Sequence, residues 1–125
     1  MPFTLDHDAA NGLATLRFSG TITGEDLMGS SMRCFALQKE AGILRFLIDS
    51  DDWDLAASVF DLHALPHREY VKAEVDRRTR IAVVQPTNEK ARQGARFYED
   101  ACRNRGWNAR ILPDRDTAIA WLKGR

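Results

Sequence analysis

Two short apolar runs, "LRFLID" (residues 44–49) and "RIAVVQP" (residues 80–86), constrain the fold of this 125-residue chain more than any other feature. Neither alternates. Phe46, Leu47 and Ile48 follow one another, as do Ile81, Ala82, Val83 and Val84. A strand that is apolar on both faces is covered on both, which is the situation of a central parallel strand. Parallel neighbours need a crossover between them, usually a helix, and helical patterns lie between and around these runs.

The chain opens differently. "FTLDHD" alternates apolar and polar residues, Asn11-Gly12 is a hairpin turn signal, and "LATLRFSG" alternates again. Leu13, Thr15 and Arg17 fall on one face, with Ala14, Leu16 and Phe18 on the other. An antiparallel hairpin is expected. "TGED" reads as a capping box, Thr23 with Asp26, opening a helix that Gly42 stops. Its buried stripe is expected at Leu27, Met28, Met32, Phe35 and Ala36.

After "LRFLID" the acidic run "DSDDWD" reads as an outgoing loop. Pro66 then divides a helical stretch into a short piece near Ala57–Ala64 and a longer one near Pro66–Arg77. Thr87 or Asn88 caps the next helix, buried through Ala91, Ala95, Tyr98, Ala101 and Cys102, with Gly106 as its stop. "WNARIL" is a fifth strand. "DRDTAIAWLKG" is a last helix, buried through Ala118, Ile119 and Leu122.

The predicted fold is therefore α/β, a single domain over residues 1–125 with the order β-β-α-β-α-β-α-β-α. Its five-stranded mixed sheet is mostly parallel, with helices packed on it.

Composition excludes several classes. No apolar run approaches the ~20 residues that span a bilayer. "MPFTLDHD" lacks the basic and apolar regions of a secretory signal. Cys34 and Cys102 read as reduced thiols of a cytoplasmic protein. Net charge is zero, divided as −6 over residues 1–62 and +6 over residues 63–125. A fold that mixes both halves around one sheet largely cancels that difference. No basic patch with interleaved aromatic residues marks a nucleic-acid site.

Ligands of open α/β sheets bind at the carboxyl ends of strands. There the sequence sets Asp49, Asp51, Asp52, Trp53, Asp54, Thr87, Lys90 and Asp114. Asp49, Asp52, Trp53, Asp54, Thr87 and Lys90 form the candidate ligand-binding edge.

Three chemistries compete for the aspartates. "FLIDSD" has the Asp-x-Asp shape of a haloacid-dehalogenase-type phosphatase, with Asp49 as nucleophile and Asp51 as acid/base. The Gly and Thr that usually follow are replaced by Asp52 and Trp53, and the later lysine and acidic pair have no places. A response-regulator receiver needs an acidic pair after its first strand and a lysine after its last, and "FSGTITG" and "ILPDRD" supply neither. A calcium loop needs a glycine and a terminal glutamate that "DSDDWD" lacks. His63 and His67, four apart with Pro66 between them, read as surface histidines without a third ligand. The plain alternative is that Asp54 caps the next helix and Asp51 and Asp52 favour its positive end.

The element order resembles STAS-type domains, the fold of anti-sigma-factor antagonists, and more closely the small bacterial STAS/SEC14-like proteins. The resemblance runs through "FSGTITGEDL", "FLIDSDDWD", "FDLHALPHREY", "RIAVVQP", "ARFYEDACRNRGWNARIL" and "TAIAWL". It implies a non-catalytic regulatory module, without a cofactor or metal, that binds a protein or a small or lipid-like ligand. In the antagonists a serine at the start of the helix after the central strand is phosphorylated. Ser58 stands near that place, but the serine-serine/threonine-glycine pattern is missing, so the resemblance carries the phospho-switch over only in position. The alternative function is phosphoryl transfer or a phospho-switch on Asp49–Asp54. The exposed edge of the hairpin is where a second copy would pair to form a homodimer.

Overall fold

The computed structural model describes residues 2–124, with side chains throughout except at positions 50–52. Strands β1 (Phe3–Asp8) and β2 (Leu13–Ile22) form the expected antiparallel hairpin, with Phe3 opposite Phe18 and Asp8 opposite Leu13. Gly12 takes the turn with φ +61°, a conformation that L side chains resist. Helix α1 (Gly24–Ala41) begins at the Thr23–Asp26 capping box and ends at Gly42, φ +68°. Strand β3 (Arg45–Leu55) follows, and then helix α2 (Val59–Ala64), which runs through a π-turn (Leu65–Glu69) into α3 (Tyr70–Lys72). Strand β4 (Arg80–Val84), helix α4 (Glu89–Asn104), strand β5 (Asn108–Leu112) and helix α5 (Arg115–Lys123) complete the described chain.

The sheet order is β1-β2-β3-β4-β5, antiparallel only between β1 and β2. The three crossovers pack on one face, where Leu16, Phe18, Trp53, Ile81 and Val83 meet Leu27 of α1, Leu62 of α2, and Ala95 and Tyr98 of α4. Helix α5 covers the other face, setting Ala118 and Leu122 against Leu13, Leu47, Ala82 and Leu112. This sequential winding has a functional consequence. The crevice of a doubly wound sheet opens where the strand order reverses, and here no reversal occurs among the described strands.

Three expectations are corrected. First, "DSDDWD" is not a loop, because β3 continues to Leu55. It pairs with β4 only from Arg45 to Ile48, but it stays paired with β2 as far as Ile22–Leu55. The register moves by one residue between the pairs Phe18–Ser50 and Gly20–Trp53. Such a bulge reverses which side chains face inward. Phe46 and Ile48 face the α1 side before it, and Trp53 and Leu55 do so after it.

Second, Pro66 does not divide two helices. The Tyr70 N–H donates to Leu65 O, five residues back. Pro66 stands in the first turn of this wider segment, where a proline is best tolerated. The helix ends near Lys72 rather than Arg77, because Glu74 turns left-handed at φ 55°. Exposed Glu74 pays a steric cost there that glycine avoids. Glu74→Gly is expected to stabilise the fold by about 0.5–1 kcal/mol, read as a rise of a few degrees in a thermal melt. A fall would show that the Glu74 side chain contributes more than its backbone costs.

Third, the buried stripe of α1 differs from the expected one. Leu27 and Ser30 are buried, and Met28 and Phe35 are half-buried. Met32 is 55% exposed and Ala36 is exposed.

Candidate functional site

The face that α1 turns to the sheet runs through Leu27, Ser30, Ser31, Cys34, Phe35 and Gln38. At its centre the side chains are short. The helix is nevertheless held at both ends. Leu27 packs into the core at one end. At the other, Gln38 donates through Nε2 to Ile43 O (2.9 Å) and Thr79 Oγ1 (2.7 Å), and accepts through Oε1 from the Asp76 N–H (3.0 Å). A helix fixed at its ends with small residues between them cannot fill the space below it. Two adjoining cavities of about 60 Å³ each lie there, sharing Leu16, Ser31, Ile48, Tyr70 and Tyr98 in their walls. Ile48 lies in the middle of the sheet and still retains accessible surface, because it borders this void.

The cavity walls are chiefly apolar, with a few polar groups. The Tyr70 and Tyr98 hydroxyls hydrogen-bond each other. Burial raises both phenols well above their ordinary range, so they stay protonated. Burial likewise pushes the Cys34 and Cys102 thiols up to about 12, against nucleophilic use. Ser30 gives its hydroxyl to Leu27 O (3.0 Å). Trp53 is 7% exposed and packs on Phe18 with ring centroids 5.1 Å apart. Its Nε1–H is buried with no hydrogen-bond partner among the described residues.

The described candidate edge residues do not converge. Trp53 faces the cavity. Asp49 lies on the opposite face of the sheet, its side chain 14% exposed, between Arg17 (3.6 Å) and Arg115 of α5 (3.5 Å). Its carboxylate thus joins β2, β3 and α5. Asp54 is exposed and does not cap α2, since its Oδ1 accepts from the neighbouring Leu55 N–H. The cap is Ser58, whose Oγ accepts from the Asp61 N–H (3.2 Å) while Asp61 Oδ2 accepts from the Ser58 N–H (2.9 Å). The Ser58 hydroxyl therefore lies against a carboxylate. Asp52, with Ser50 and Asp51, lies outside the described side chains. Thr87 and Lys90 are exposed at the start of α4, where Asn88 is the cap. Asp114 caps α5 through the Thr117 N–H (2.8 Å).

His63 and His67 are exposed and stack at 4.9 Å. Arg105, then burial, His63 and Arg68 lower the pKa of His67, a cationic setting that disfavours a metal ion. No cluster of three metal-ligating side chains occurs among the described residues. None of their helices is long and apolar enough to cross a membrane.

The cavity was missed in the sequence because the expected stripe of Leu27, Met28, Met32, Phe35 and Ala36 does not include Ser30 and Ser31. The available signal was "GSSMRC", where small residues recur at helical spacing on the side opposite Met32. Comparison with family models, curated proteins and solved structures finds no match to this chain.

Proposed function

We propose that this chain is a non-catalytic binding module, STAS-like in architecture and acting in a bacterial cytoplasm as that resemblance implies. Its site is the cavity beneath α1, and its ligand is small and largely apolar. One observation carries the reading: a helix pinned at both ends presents Ser30, Ser31 and Cys34 to an otherwise apolar core. A dry cavity of ~150 Å³ accommodates a benzene-sized molecule, and two adjoining spaces of about 60 Å³ approach that size. The inert thiols and protonated phenols suit holding a ligand rather than transforming it. A protein partner or second copy would meet the free edge of β1.

Toluene is the test ligand. At ten times its Kd it is expected to stabilise the fold by about 1.4 kcal/mol, seen as a rise of a few degrees in Tm. No rise at any soluble concentration would overturn the cavity reading. Magnesium-dependent hydrolysis of a phosphate ester that disappears in Asp49→Asn would overturn the non-catalytic one.

A further inference from the structure

We propose that the cavity's occupant carries a hydrogen-bond acceptor and that the Trp53 Nε1–H is the donor to it. The proposal rests on the binding reading above and adds what kind of molecule binds. Two tryptophans of the same core cluster provide the contrast. The Trp107 Nε1–H donates to Pro66 O at 3.0 Å, as a buried indole ordinarily does. The Trp53 Nε1–H is equally enclosed and has no partner among the described residues. Buried donors are nearly always satisfied, and an unsatisfied one calls for an explanation.

Trp53 lines the part of the cavity nearest α4, where its neighbours in the wall include Phe18, Leu55, Leu62, Val83 and Ala95. These side chains offer no acceptor. Three nearby hydroxyls are engaged, Ser30 with Leu27 O and Tyr70 and Tyr98 with each other, while the Ser31 hydroxyl also borders this space. An apolar wall whose remaining polar groups are the Trp53 donor and the Ser31 hydroxyl selects a neutral molecule with a single oxygen acceptor. A cyclic or short branched ketone, aldehyde or ester has that chemistry. A carboxylate would be buried without a counter-charge in this wall.

The test uses two probes of one shape, cyclohexanone and methylenecyclohexane, which differ in a carbonyl oxygen against a methylene. Affinities for the wild-type chain and Trp53→Phe are read by titration. The Trp53 indole N–H resonance is followed in the wild type. The expected result is a downfield shift of that resonance with cyclohexanone and not with methylenecyclohexane. The wild-type preference for the ketone, measured as the ratio of the two Kd values, should fall about tenfold in Trp53→Phe. If both probes bind and the ratio is unchanged, or the indole resonance responds to both alike, the acceptor proposal is overturned while the cavity reading stands. An indole N–H that is already downfield in the free protein and contacts a long-lived water that cyclohexanone does not displace also overturns it. If neither probe binds, both readings fall. The wild-type resonance decides the matter even where Trp53→Phe does not fold.

Discussion

Trp107→Ala is expected to lower stability by about 3–5 kcal/mol, the range for removing a buried aromatic side chain. Trp107 is 3% exposed and stands just before β5. The Arg77 guanidinium lies 3.6 Å above its ring centre, and Tyr70 meets the ring edge-on at 5.5 Å. Its Nε1–H also satisfies the carbonyl of Pro66 inside the π-turn. The π-turn accommodates the proline but leaves its helical bonding irregular, and a side chain from another part of the chain completes it. The alanine variant therefore loses packing and a buried hydrogen bond together. Trp107→Phe separates the two, since it keeps most of the ring and strands the Pro66 carbonyl. It should cost about 1–3 kcal/mol. Urea denaturation at equal m-values measures both. Against a total of roughly 5–15 kcal/mol for a domain, the alanine variant should be marginal at 37 °C. A loss below ~1 kcal/mol would show that the π-turn holds without its cross-chain support.

The role of Trp107 was not legible in the sequence, where "WNARIL" announces only a strand. The elements themselves were legible wherever a local rule decides them. Asn11-Gly12 makes the hairpin, Thr23 with Asp26 opens α1, Asn88 opens α4, and Gly42 ends a helix because its φ of +68° suits glycine. What stayed hidden depends on residues far apart in the chain. Four acidic residues looked like a loop because aspartate is a poor strand former. Pairing with β2 overrides that preference, and the bulge lets Trp53 and Leu55 face inward while Asp54 faces out. The parity change from Phe46 and Ile48 to Trp53 and Leu55 is visible in the sequence and implies one extra residue between them. Pro66 misled in the same way, because its carbonyl takes its hydrogen bond from the Trp107 Nε1–H, 41 positions away.

Asp49 shows the limit of reading a site from residue type. As a carboxylate after a central strand it had the right address for chemistry. Folded, it lies between Arg17 and Arg115, whose side chains are 41% and 49% exposed. Pairs as open as these contribute little stability each. Their geometry nonetheless turns the carboxylate toward α5 and away from the cavity. Trp53, four residues on, is carried to the other face by the bulge. Asp49 and Trp53 thus lie on two sides of the sheet, and no single cleft collects the described side chains of this stretch.

Ser31→Leu is expected to abolish binding of toluene, weakening it at least ~100-fold, while raising stability by about 1–2 kcal/mol. Most substitutions that impair a binding site also destabilise or leave stability unchanged, so the paired signs are diagnostic. Ser31 is half-buried and borders both cavities from the middle of α1, away from the caps at Thr23 and Gly42. A leucine there enters space that the neighbouring side chains do not fill, and it is also the better helix former. Overpacking ordinarily costs about 1–3 kcal/mol, but that cost requires a core already full. Ser31→Ala serves as the control, since it removes the hydroxyl and fills nothing, and it should bind toluene as the wild type does. A leucine variant that melts lower and still binds would mean that the space beneath α1 closes in solution and that the ligand sits elsewhere. A leucine variant that melts higher and no longer binds would mean that the short side chains of "GSSMRC" hold the site open at the expense of stability.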